Sequence, residues 1–157
     1  MFHRMKDYPS KLFHKTPAWV PDSGLFHVRL RIQPGSTALT EPTCAAGLLD
    51  SVERYAESGK WSCYLMLLMP DHLHALLSFG REVGMSETLR SWKRGQARVL
   101  GIRWQDGYFD HRIRNAEEYA EKFAYIERNP VACGLCGQEG DWPWRTAAFA
   151  KEAVPKF

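Results

Sequence analysis

The sequence has no run of about 18 uninterrupted apolar residues, the length a membrane-spanning helix requires. Its opening residues, MFHRMKDYPS, lack the apolar core of a secretory signal. A cytoplasmic protein with no membrane partner is the expectation. Cysteine is scarce. Cys44, Cys63, Cys133 and Cys136 are too few for a disulfide scaffold in 157 residues, so reduced thiols are expected. No P-loop and no GxGxxG run occurs, which removes the common nucleotide-binding signatures. Internal repeats and low-complexity segments are missing as well. A large excess of either charge is also lacking: 21 Lys and Arg stand against 18 Asp and Glu, a formal +3. That balance permits a polyanionic partner without establishing one.

What is present is apolar substance, 45% of residues with 13% aromatic, enough to exclude a disordered chain. The length fits one domain over residues 1–157, with an N-terminal arm over 1–24 and a C-terminal tail over 137–157. Leu25 to Ile32 alternates, Phe26, Val28, Leu30 and Ile32 against His27, Arg29 and Arg31, and reads as a half-buried strand. A helix is expected from Cys44 to Glu57, on Ala45, Leu48, Leu49, Val52 and Tyr55. Trp61 to Met69 is apolar nearly throughout, as a strand covered on both faces would be. After a Pro70-Asp71 turn, His72 to Phe79 completes an antiparallel hairpin. A second helix follows from Ser86 to Leu100, with Leu89, Trp92, Gln96 and Val99 on its inner side. An extended segment spans Arg103 to Ile113, broken at Asp106-Gly107, and a third helix runs from Ala116 to Arg128, closed by Asn129-Pro130. This order predicts an α+β, ferredoxin-like (RRM-like) antiparallel sheet with the helices packed on one face. Such a fold leaves function open.

Function has to come from particular side chains. In His72-Leu73-His74 strand alternation points both imidazoles to one face, with Cα atoms roughly 7 Å apart, a spacing at which two neutral rings can share one divalent ion. Two hydrogen-bonded histidines on a solvent-facing strand fit the same pattern. On the third helix, Tyr119, Phe123 and Ile126 form the core stripe, whereas Tyr125 and Asn129 project together away from it. Tyr125 is then either a cleft-facing phenol or a surface tyrosine. Arg90, Lys93, Arg94 and Arg98 make a positive stripe on the second helix, and Arg103, Arg112 and Arg114 extend it. Trp104, Tyr108 and Phe109 interleave aromatic rings that could stack on unpaired bases. A solvated helix face is the alternative; together the residues favour a single-stranded nucleic acid. Cys133-Gly134-Leu135-Cys136 has the spacing of a redox or zinc motif, but it ends a helix instead of starting one, and Gly134 reads as a helix stop.

Three segments together resemble a known family. Leu67 to Leu77 (LLMPDHLHALL), Trp104 to Arg114 (WQDGYFDHRIR) and Tyr125 to Leu135 (YIERNPVACGL) are similar to the REP-associated tyrosine transposases of the HUH single-strand endonuclease superfamily, over about Trp19 to Trp144. The resemblance implies an HUH-type nuclease domain in which His72 and His74 hold a catalytic Mg²⁺ or Mn²⁺. It makes Tyr125 the nucleophile and puts Asn129 where relatives carry a polar third ligand, often Gln. Cys133 and Cys136 stand where relatives have small or aliphatic residues. The implied activity is nicking and joining of single-stranded or hairpin DNA through a 5′-phosphotyrosine, at hairpins of short palindromic repeats. Relatives work as monomer or homodimer. A non-catalytic nucleic-acid-binding module and a small metal hydrolase with water as nucleophile are the rival readings.

Overall fold

A computed structural model of the chain describes residues 24–149, 155 and 157. Most of the expected arm (1–23) and part of the tail lie outside the described residues. The elements are β1 (Leu25–Arg31), α1 (Pro42–Glu57), β2 (Trp61–Leu68), β3 (His72–Phe79), α2 (Gly84–Leu100), β4 (Phe109–Ile113), α3 (Ala116–Ala132) and β5 (Arg145–Phe149). They form one sheet of order β4-β1-β3-β2-β5 with every neighbouring pair antiparallel. The first four strands and first two helices are the βαββαβ unit that the order of elements predicted.

Local chemistry starts α1. The Glu41 carboxylate accepts from the Thr43 and Cys44 N–H groups, and Pro42 occupies the first turn, where its missing donor costs nothing. Gly47 on α1 is a point of close approach, since a Cβ there would lie 2.8 Å from Leu100 at the end of α2. α2 begins at Gly84, two residues before the expected Ser86, and Thr88 Oγ1 donates to the Gly84 carbonyl at 2.7 Å. On α2, Leu89, Trp92 and Gln96 are buried, but Val99 is 76% exposed, and Leu100 takes its place as the last inward residue.

Strand alternation divides the apolar residues between two cores. Phe26, Val28, Leu30 and Ile32 of β1 and its extension join Leu73, Ala75 and Leu77 of β3 beneath α1 and α2. Leu25, Leu76 and Ile113 join Tyr64, Leu65 and Leu67 of β2 on the reverse face, against Tyr119, Phe123 and Ile126 of α3. A bulge between Cys63 and Leu65 turns Tyr64 and Leu65 to that same side. The expectation of all helices on one face is therefore corrected: two lie on one face and α3 on the other. The reading of β1 as half-buried falls with it, because α3 covers the polar side and leaves His27 4% and Arg29 9% exposed.

α3 also runs past its expected end at Arg128, through Pro130, to Ala132. Proline removes one donor, but only in the last turn, and Pro130 is buried. The stop lies further on. Leu135 N–H reaches the Pro130 carbonyl at 2.8 Å and Gly134 N–H the Val131 carbonyl at 3.0 Å, with Gly134 at φ +74°, a Schellman closure. β5 was read as part of a tail; it pairs with β2, and Arg145 forms an ion pair with Glu127 of α3.

Trp92 is fully buried, packs at 5.5 Å from the Trp61 ring centroid and donates from Nε1 to Ser51 Oγ at 2.9 Å. Trp92→Ala is expected to lower the free energy of unfolding by about 3–5 kcal/mol, measured by urea denaturation.

Candidate active site

β3 opens with the two histidines because the hairpin turn, closed by Met69 N–H on the His72 carbonyl at 2.8 Å, sets the phase of the strand. Register pairs His72 with Arg31 and His74 with Arg29, so all four side chains leave the sheet on the α3 side. The two imidazole centroids lie 5.0 Å apart with planes at 81°. His72 Nδ1–H donates to Asp71 Oδ1 at 2.7 Å, and His74 Nδ1 lies 3.0 Å from His27 Nε2 with the rings stacked at 5.2 Å. Both Nδ1 atoms are thus engaged.

Burial keeps these rings neutral. Desolvation lowers His74 well below the ordinary histidine value, and the positive forms of His27, His72, Arg29 and Lys122 push the same way. Desolvation also lowers His72, against the hydrogen bond and charge of Asp71. It takes His27 down to about 3, helped by Lys122, Arg29 and His111. Burial alone would raise Asp71, but the hydrogen bond from His72 and the charges of His72 and Arg31 hold its carboxyl below the usual range.

α3 delivers the remaining groups. Asn115 caps its start by accepting from Glu118 N–H at 2.8 Å, and Glu118 Oε2 meets His111 Nε2 of β4 at 2.6 Å, which ties this end of the helix to the sheet. Two turns on, Tyr125 stands edge-on to His74, ring centroids 6.2 Å apart and planes at 87°, while 51% of the residue stays exposed. Lys122 Nζ lies 5.9 Å from the Tyr125 ring centroid. Arg29, its guanidinium 4.8 Å from the Phe109 ring, is lowered by desolvation and raised by the nearby Tyr125. Asn129, one turn beyond Tyr125, reaches His74 Nε2 at 3.3 Å, but through its amide nitrogen; its oxygen accepts from Cys133 Sγ at 3.4 Å. A half-turn of that amide exchanges the two ends.

Among the described residues no three His, Cys, Asp or Glu side chains converge as a ready metal cage. The donor set nonetheless suits a divalent ion: two neutral imidazoles, each held by a partner on Nδ1, and an amide beside one of them. An Asp–His pair is a common support for a metal-ligating imidazole.

The structure brings His72, His74, Tyr125 and Asn129, the four residues singled out in the sequence, together within one chain. Asp71, His27, Arg29, Arg31 and Lys122, which the sequence does not single out, lie beside them. The signal was available: once β1 neighbours β3, the polar side of β1 is the histidine side of the sheet.

Apart from Arg114, the expected DNA-binding residues lie away from this surface. Arg90, Arg94 and Arg98 are exposed on the outer side of α2, across the sheet from Tyr125, and Arg90 pairs with Glu87 at 3.0 Å. Lys93 turns inward, donating to the carbonyls of Gln105 at 2.9 Å and Gly107 at 3.0 Å, and desolvation brings its ammonium down to about 8 against the pull of Asp106. Trp104 is half-buried, 5.7 Å from Trp92 and bonded through Nε1 to the Lys93 carbonyl, so it packs against the core instead of offering an open stacking face. Arg103 is exposed beside it. Arg112 pairs in register with Phe26 and lies on the α1–α2 face. Arg114, exposed just before α3, is on the approach to the tyrosine helix. Cys133 and Cys136 sit in the helix-closing turn, both as free thiols. Among the described residues no helix is long and apolar enough to cross a membrane.

No family model matches the chain. The REP-associated tyrosine transposase of Escherichia coli (strain K12) is 30% identical over 83 residues, 51% of this chain and 50% of that protein. An uncharacterized protein of Haemophilus influenzae is 24% identical over 94 residues, 41% of this chain and 52% of that one. The chain spans about half the length of the curated relatives it matches. The solved structure of a REP-associated tyrosine transposase bound to a REP hairpin superposes with TM-score 0.68 at 19% identity, over 90% of this chain and 96% of the other. A transposase candidate from Deinococcus radiodurans superposes with TM-score 0.51 at 20% identity, over 73% and 95%. The resemblance to REP-associated tyrosine transposases thus stands in sequence over half the chain, and the fold is shared over nine-tenths of it.

The placement of Lys93 has a measurable consequence. Lys93→Ala is expected to lower stability by about 2 kcal/mol, the scale of its charge-assisted bonds, in a denaturant titration.

Proposed function

We propose that the chain is a metal-dependent, single-tyrosine endonuclease and strand transferase, transposase-like, that cuts single-stranded DNA at REP-type hairpins through a 5′-phosphotyrosine. One observation carries this reading: the exposed Tyr125 phenol stands edge-on to His74, beside two neutral imidazoles that Asp71 and His27 hold through Nδ1. The curated relative's activity and the hairpin in the superposed structure support DNA of that form as substrate.

His72 and His74 would hold Mg²⁺ or Mn²⁺ through Nε2, with Asn129 adding its amide oxygen after the half-turn described above. When bound, the ion supplies Lewis-acid polarisation of the scissile phosphate. The chain does the rest. Arg29 and Lys122 put positive charge next to the phenol, where phosphate oxygens gain negative charge as the reaction proceeds. The α3 helix, fixed to the sheet at Glu118 and buried through Ile126, holds the phenol for in-line attack. The phenolic oxygen forms a bond to phosphorus as the bond from phosphorus to the 3′-oxygen breaks. The phenol gives up its proton to solvent and the departing 3′-oxygen gains one. The phosphodiester energy is kept in the tyrosyl ester, so another 3′-hydroxyl can attack it, restore the phenol and join strands. Since nucleophile and histidines meet within one chain, each copy would carry a self-contained site.

Labelled hairpin DNA, Mn²⁺ and a denaturing gel test the proposal. The wild type should yield a denaturation-resistant conjugate. Tyr125→Phe should lose conjugate and nicking by about 10³-fold or more while still binding DNA. His72→Ala or His74→Ala should lower metal-dependent nicking by about 10²-fold. Cleavage by Tyr125→Phe at the wild-type rate would remove the nucleophile. A wild type that binds the hairpin but forms no conjugate would leave a binding module, and cleavage without conjugate would indicate water as nucleophile.

A further inference from the structure

His27 lies on β1, two strand positions from Arg29, and is buried against His74 and Phe109. Its Nε2 is 3.0 Å from His74 Nδ1, whereas its Nδ1 meets no hydrogen-bond partner among the described residues. Proton positions around His74 follow from its other side. With the Asn129 amide as it stands, its nitrogen donates to His74 Nε2 at 3.3 Å, and an ion held at Nε2 makes the same demand: a lone pair on Nε2 and the ring proton on Nδ1. That proton points at His27 Nε2, which must accept it, and the proton of His27 is left on its own Nδ1.

We infer that His27 is a positioning residue: as acceptor for His74 Nδ1–H, it holds His74 in the tautomer and ring orientation whose Nε2 lone pair faces the ion. The inference rests on the metal-holding role proposed for His74. His27 cannot ligate the same ion through Nε2, since that atom is turned to His74 Nδ1. Nor is a polar residue needed at this spot for packing, because Leu25 and Leu76 nearby on the same face are fully buried carbons. The arrangement parallels Asp71 on His72, so each proposed ligand has its own second partner, a carboxylate for one imidazole and an imidazole for the other. A backbone-strand position makes that support rigid, and it commits the unpaired His27 Nδ1–H to a buried place.

Two measurements decide it without relying on DNA cleavage. In ¹⁵N imidazole spectra of the metal-free wild type, His74 is expected with its proton on Nδ1; a proton on Nε2 would overturn the inference. In calorimetric Mn²⁺ titrations, His27→Ala should weaken binding by about 10- to 100-fold, and His27→Gln, whose side-chain oxygen can still accept, should recover most of the loss. Wild-type Mn²⁺ affinity in His27→Ala, with thermal denaturation showing it folded, would also overturn it. A wild type that forms no DNA conjugate yet shows these tautomer and affinity changes would sink the proposed reaction and leave the role of His27 standing.

Discussion

The docking of α3 onto the second face of the sheet is the contact on which the site depends. Tyr119, Phe123 and Ile126 bury against Leu65, Leu76 and Ile113, and this apolar seam sets how far along the helix Tyr125 and Asn129 fall over the strand histidines. Sheet and helix obey different periods, two and 3.6, so a single register between them can bring a phenol and an amide, four residues apart on α3, over imidazoles two residues apart on β3. The same closure takes His27, His74 and Arg29 out of water. Neutral imidazoles and a nearly buried guanidinium beside an exposed phenol are consequences of one packing event.

Charge is distributed with the same logic. Positive groups close to Tyr125 come from β1 and α3, Arg29 and Lys122, while Arg31 lies beside Asp71. The α2 stripe, more conspicuous in the sequence, is separated from the phenol by the sheet itself. Its exposed members, Arg90, Arg94 and Arg98, form a second basic surface, while Lys93 and Trp104 lock α2 to the segment before β4. A polyanion engaging both surfaces would have to pass around an edge or end of the sheet.

Much of this was legible because it is local. Alternation in β1 and β3, the helical stripes of α1 and α3, and the Gly134 stop depend on near neighbours in the chain, and the βαββαβ order followed from them. The misses share one cause. Val99 fits the apolar stripe of α2 by spacing, but it is Leu100 that the docking against α1 turns inward; Pro130 breaks a local rule and is tolerated because its turn is the last one; β5 carries a weak strand pattern and pairs with the edge of β2. Lys93 looks like any other cation of an i, i+3, i+4 stripe until the carbonyls of Gln105 and Gly107 arrive to receive it.

The sequence by itself determined which chemical groups were on hand and which strand or helix face each would occupy: two imidazoles on one side of β3, a phenol and an amide on one side of α3. That follows from backbone geometry, which repeats every two or 3.6 residues whatever surrounds it. Only the tertiary structure decided which faces meet. Placing α3 opposite α1 and α2 is a long-range packing choice, and it made a neighbour of His27, an ordinary strand residue in the sequence, for the ring it now supports.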